Sequence, residues 1–242
     1  MTPEEAERAI AGPVQRFGQR FMLDPTFYAP AIESGYQGYD FYVTGRGGVL
    51  GDVDADVVEA AFGFLHGGFV RTMWDQGRAV EPVAAAAERF AAGCADWGRS
   101  HLAPDVDYAA LSPLLGRVIA AAPVAGMALF AGWRNVALPD DPMGAVAQQI
   151  NVLREFRGGA HIIGVMAAGL SPLAAVVAKG GEANAALLGH SAALPDVSAL
   201  REATDRAETI TDVIAAQPFA ELDEAELELV VTSLLAALLP IG

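Results

Sequence analysis

Apolar residues recur at helical spacing from the first turns of the chain. Ala6, Ala9, Ile10, Pro13, Val14 and Phe17 fall on the three- and four-residue steps of an amphipathic helix. Ahead of them Thr2 stands at an N-cap position, Pro3 at the first helical position and Glu5 where a capping box closes. The pattern predicts a helix to about Phe21, ended at Asp24-Pro25. The same periodicity predicts helices over 69–76, 82–97, 111–122 and 124–133. Beyond the middle of the chain it predicts others over 143–154, 161–168, 197–216 and 223–239, and Ser171-Pro172 opens one more. Asp52 or Asp54 caps a helix through Val57, Val58, Ala61, Phe62 and Leu65 that stops before Gly67-Gly68.

Three places interrupt this helical reading. An aromatic stretch (Phe27, Tyr28, Tyr36, Tyr39, Phe41, Tyr42) is interleaved with Gly35, Gly38, Gly45, Gly47 and Gly48, so short helices or turns are expected, with an extended piece around 41–44. Arg157-Gly158-Gly159 is expected to break or kink the helix begun at Met143. Pro139-Asp140-Asp141-Pro142 is the strongest loop signal in the chain. The expected architecture is mainly α: a two-lobed helical protein with an N-terminal lobe over 1–138 and a C-terminal lobe over 143–242.

Composition narrows the function classes. Of 242 residues 53% are hydrophobic and 19% charged, which excludes a disordered chain. Fifteen bases against thirty acids give a formal charge of −15, and Lys179 is the one lysine. That balance argues against broad phosphate binding to nucleic acid and against docking on anionic membranes. The excess of acid is concentrated after Asp196. Apolar runs at 118–133, 161–178 and 229–241 are too short or too interrupted for membrane spans and read as core helices. Cys94 is the single cysteine, and an acidic N-terminus lacks a secretory signal, so a cytoplasmic protein is expected.

Candidate chemistry is sparse. Asp52-x-Asp54-x-Asp56 begins like a calcium loop but has Val57 and Gly63 where Gly and Glu are needed; no metal is expected. Gly45-Arg46-Gly47-Gly48-Val49-Leu50-Gly51 is neither a dinucleotide fingerprint nor a Walker loop, and no cofactor is indicated. It is either a glycine loop in which Arg46 holds an anion, or a packing turn with Arg46 in an internal ion pair. His161 follows Glu155 closely enough for a Gly-Gly kink to join them as acid and base; the plainer reading is a hydrogen-bonded core histidine. The aromatics either line an apolar pocket or form the core of the first lobe.

Several stretches resemble a known family. Gly35-Tyr36-Gln37-Gly38-Tyr39, Tyr42, Gly45-Arg46, Leu50-Gly51, Val57-Val58, Ala60 and Phe62 carry the likeness in the first half. Leu153-Arg154-Glu155, Arg157-Gly158, His161, Gly169-Leu170, Thr211-Asp212 and Pro218-Phe219 carry it in the second. They resemble an actinobacterial family described as helix-turn-helix, or loosely MarR-like, over about 17–222. The resemblance implies a helix-turn-helix fold. Phe156 stands where the family has a second histidine, and the stretch from Leu170 to Thr211 is shorter than the family's winged region. It offers Lys179, Arg201 and Arg206 against Glu182, Asp196, Glu202, Asp205 and Glu208. A degenerate winged-helix-like C-terminal part without DNA-reading chemistry is therefore expected.

The leading expectation is a protein that binds an apolar or aromatic metabolite between its lobes. Arg46, Arg157 and His161 would be polar anchors, with Tyr39, Tyr42, Phe62, His66 and Trp74 as lining. An enzyme using His161 and Glu155 on an apolar metabolite, and a MarR-like regulator, are the alternatives. A homodimer through the C-terminal helices is the expected assembly.

Overall fold

The computed structural model describes residues 1–191 and 193–241. Twelve α-helices and three short 3-10 turns make up its regular structure, with no strand among the described residues. The N-terminal start signal operates as read. Thr2 Oγ1 accepts from Glu5 N at 3.2 Å, and Glu5 Oε2 accepts from Thr2 N at 2.8 Å. Helix α1 (Pro3–Leu23) follows, capped at its far end by Asp24. Its buried stripe of Ile10, Val14, Phe17 and Phe21 contributes roughly 6–12 kcal/mol of apolar burial, an upper bound.

Helices α2 (Pro25–Glu33), α3 (Tyr39–Gly47), α4 (Ala55–Phe62), α5 (Gly67–Arg78) and α6 (Val83–His101) come next. The piece expected as extended, 41–44, lies inside α3. Asp40 decides this: its carboxylate accepts from Gln37 N at 2.9 Å and from Phe41 N at 2.8 Å, fixing the first turn. Phe41, Val43, Thr44 and Gly47 are then all buried, so neighbouring helices pack α3 from several sides. Gly67-Gly68 does not end a helix but opens α5; α4 ends earlier, at Gly63, in the left-handed region (φ 72).

The second half holds α7 (Tyr108–Ala121), α8 (Ala128–Trp133), α9 (Pro142–Ala167), α10 (Pro172–Leu187), α11 (Arg201–Ala216) and α12 (Glu224–Leu238). Asp141 caps α9, its Oδ1 accepting from Gly144 N at 2.8 Å, and Pro142 takes the first helical position. Arg157-Gly158-Gly159 neither breaks nor kinks α9. Each glycine disfavours helix by about 1 kcal/mol, but α1, α6, α7, α8 and α11 all pack on this helix and override that preference. The crossing with α11 is close: a Cβ at Gly164 would stand 2.5 Å from Ala207 O.

The loop at 139–142 does not separate two cores. One buried apolar cluster contains Phe17, Phe90 and Trp133 from before it, and Ile150, Phe156 and Leu234 from after it. A second, small cluster ties α10 to the rest through Val165, Leu170, Ala174, Ala175 and Ala207. Nothing among the described residues forms the strand pair of a wing; the regular structure described within 170–211 is α10 and the start of α11. No single helix among the described residues is long and apolar enough to cross a membrane, although α9 and α10 together, bent by 112°, pass that test as a pair.

Candidate functional site

Helix α9 presents one face, from Arg154 to Ile162, to a cavity of about 1040 Å³. Helices α1, α3, α4, α8, α10 and α11 complete its walls. The apolar lining includes Phe62, Phe64, Met127, Leu129, Phe130 and Ile162. The charged lining is Arg46, Arg154, Arg157 and Lys179 against Glu155 and Glu208. In a chain of net charge −15, this wall carries more cations than carboxylates.

Arg46 projects from α3 into a buried ion pair. Its Nε donates to Glu155 Oε1 at 2.7 Å and its Nη2 to Glu155 Oε2 at 2.8 Å, a two-pronged pairing that fixes both planes. Nη1 donates to Tyr42 Oη at 3.0 Å, and the guanidinium lies 4.4 Å from the centre of the Phe62 ring. Arg154 Nη1 also donates to Glu155 Oε1, at 2.8 Å. Burial alone would push the Glu155 carboxyl up. The charges of Arg46 and Arg154 outweigh it and hold Glu155 below the usual carboxylate range. Glu155 is therefore an anion with both oxygens engaged, a poor proton acceptor.

His161 sits on the same cavity wall with different partners. Its Nδ1 lies 3.1 Å from Thr211 Oγ1 and 3.8 Å from Glu208 Oε1. The Thr211 hydroxyl donates to Ala207 O at 2.7 Å, so it accepts from His161, which assigns the proton to Nδ1. Nε2 then carries the free lone pair. Burial pushes the imidazole pKa down, against the pull of Glu208, and keeps the ring neutral near pH 7. Such a ring can accept a proton from a bound molecule.

Because α9 is continuous, Glu155 and His161 lie six residues apart on one helix. That spacing means a rise of roughly 9 Å and directions about 120° apart around the helix axis. The two do not meet: Glu155 turns to Arg46, and His161 to Thr211 and Glu208. Arg157, one turn before His161, is held by Glu7 at 3.0 Å, Asp212 at 2.9 Å and Glu208 at 3.4 Å.

Tyr42, Arg46, Phe62, Glu155, Arg157 and His161 thus line one cavity. Tyr39, His66 and Trp74 are not among its lining residues. Trp74 is a core residue whose Nε1 donates to Val53 O at 3.0 Å. His66 is exposed at the start of α5 with its ring 5.6 Å from that of His190, and Tyr39 packs edge-on against Phe69. Arg154, Lys179 and Glu208 escaped the sequence reading as cavity residues. The four-residue step from Arg154 through Gly158 to Ile162 would have placed Arg154 on this face, had the helix been carried through the glycines. Among the described residues no group of His, Cys, Asp and Glu is arranged to hold a metal ion.

No curated protein and no solved structure matches this chain. One family model does, that of a helix-turn-helix family, over residues 7–193. That stretch runs from α1 to beyond α10 and includes most of the cavity wall, and the chain belongs to this helix-turn-helix family.

Proposed function

We propose that this protein binds a small molecule with an apolar body in the cavity walled by α9. The observation that carries the reading is the cavity: about 1040 Å³, lined by Phe62, Leu129 and Phe130 together with charged and polar side chains that include Arg46, Tyr42 and Arg154. That combination of apolar lining and sparse, placed polar groups is the usual constitution of a ligand site. The test is native mass spectrometry of freshly purified protein, followed by extraction. A copurifying apolar compound is expected. The Ala61→Trp variant, which places an indole on the cavity wall, should lose it. If the wild type carries no compound and binds none from a panel of apolar metabolites, the reading fails.

Family membership favours a second reading, a DNA-binding regulator. Helices α4 and α5, joined by four residues, have the connectivity of a helix-turn-helix. Charge stands against it. On α5, Arg71 is paired with Asp56 and Arg78 with Asp52, the latter at 2.9 Å, so both arginines are already engaged by acids. A specific electrophoretic shift at moderate salt would favour this second reading over the first.

A further inference from the structure

The charge of the cavity wall points to the chemistry of the ligand, if the cavity is the small-molecule site proposed above. Arg46 and Arg154 share a single carboxylate, Glu155. The three side chains are 9%, 14% and 1% exposed, and no other carboxylate pairs with either arginine among the described residues. Two cations and one anion leave one positive charge uncompensated in a largely desolvated wall, an unfavourable arrangement until a counter-charge arrives.

Hydrogen-bonding capacity is also left over. Arg154 makes one hydrogen bond, through Nη1; its Nε is buried beside Gly18 of α1 with no partner, and its Nη2, with no partner among the described residues, is the donor left for a ligand. Tyr42 Oη accepts from Arg46, which leaves its own O–H free to donate. Arg154, Tyr42 and Arg46 all line the cavity. Gly18 on α1 makes room for this arrangement, since a Cβ there would stand 2.2 Å from Arg154 Cδ. Arg157, in the same cavity, differs: three carboxylates surround it, so it has no need of a further anion. Lys179 is exposed, lines the cavity from α10, and forms no ion pair among the described residues. It adds positive potential for an approaching anion.

We propose that the cavity takes an amphipathic monoanion, an apolar carboxylic acid. Its acid group is held by Arg154 and the Tyr42 hydroxyl beside Arg46, and its body lies along Phe62, Leu129 and Phe130. The acid completes the charge balance of the Arg46–Glu155–Arg154 group. The uncharged analogue of the same shape leaves it incomplete.

Isothermal titration of the full chain with matched pairs tests this: 2-naphthoate against 2-naphthamide, and octanoate against octanamide. At least one acid should bind with one site per chain, about tenfold or more tighter than its amide. Arg154→Gln should collapse that ratio toward one. Tyr42→Phe should lower it several-fold, and serves where Arg154→Gln does not fold. Equal affinity for acid and amide would overturn the inference while leaving the cavity a small-molecule site. A preference for the acid that survives in both variants would overturn its assignment to these residues. Failure of all four compounds to bind, with no compound copurifying, would remove the small-molecule reading and this inference together.

Discussion

Glu7 is the clearest place to set burial against ion pairing. It lies on α1 at 4% exposure, and its Oε1 accepts from Arg157 Nη1 at 3.0 Å. Burial pushes its carboxyl up, the charge of Arg157 pulls it down, and Asp212 on the same guanidinium pushes it up again. Burial prevails, and the carboxyl is pushed up to about 7 from 4.5. The sign of the consequence follows. Between those two values the folded protein holds a proton that the unfolded chain has released, so stability falls as pH rises through the window. The gap corresponds to about 3 kcal/mol at most, fully lost above pH 7.

Glu7→Gln removes the titration and keeps an acceptor oxygen for Arg157. At pH 4.5 variant and wild type should be equally stable. At pH 8 the variant should be more stable by up to about 3 kcal/mol, a rise in Tm of roughly 6–12 °C for a chain of this size. Urea unfolding followed by tryptophan fluorescence at the two pH values measures both. A variant less stable than wild type at pH 8 by about 1 kcal/mol or more would mean that Glu7 is ionised and that its pairing with Arg157 outweighs its burial.

Other parts of the structure yield sharper single-site expectations. Glu155→Gln leaves Arg46 and Arg154 buried without their carboxylate and should destabilise by about 3–5 kcal/mol in urea unfolding; a loss under about 1 kcal/mol would contradict the buried charge group. Gly164→Ala should force α9 from α11, because its Cβ would stand 2.5 Å from Ala207 O, and cost about 1–3 kcal/mol. Gly158→Ala, with nothing within 4 Å, should instead stabilise by about 0.5–1 kcal/mol, and a lower Tm there would show that the backbone needs that glycine. The His161 imidazole should titrate below 6.5 in the folded protein by NMR. Its contribution to stability is present above pH 6.5 and lost as pH falls below it; a midpoint above 6.5 would mean that Glu208 dominates over burial.

Local signals wrote much of the fold openly. Thr2 with Glu5, and Ser171 with Pro172, each start a helix where the residues indicate, because a cap satisfies backbone donors within three residues of itself. The errors arose where distant packing overrode local preference. Gly158-Gly159 reads as a break because glycine disfavours helix, yet α9 runs through both: Gly159 is packed against Met127, Gly158 faces open space, and helices packed elsewhere along α9 hold it together. The same pair of small residues at 67–68 begins a helix, because α4 has already ended at Gly63. A helix preference of about 1 kcal/mol is smaller than the burial of one large apolar side chain, so packing decides such positions.

The site was legible as residues and not as pairs. Arg46, Glu155, Arg157 and His161 were all singled out by type and setting, and all reach the cavity. Their partners were hidden because they come from far along the chain: Arg46 and Glu155 are 109 residues apart, and Arg157 and Glu7 are 150 apart. Most acids after Asp196 are exposed. Glu208 and Asp212, however, turn inward to Arg157, so part of that charge ties α11 to α9. The excess of acid in this chain therefore does not mean that every arginine is surrounded by carboxylates. At Arg157 the carboxylates outnumber the cation, and at Glu155 the cations outnumber the carboxylate. That local imbalance, rather than the net charge of the protein, is the ground for proposing an anionic ligand.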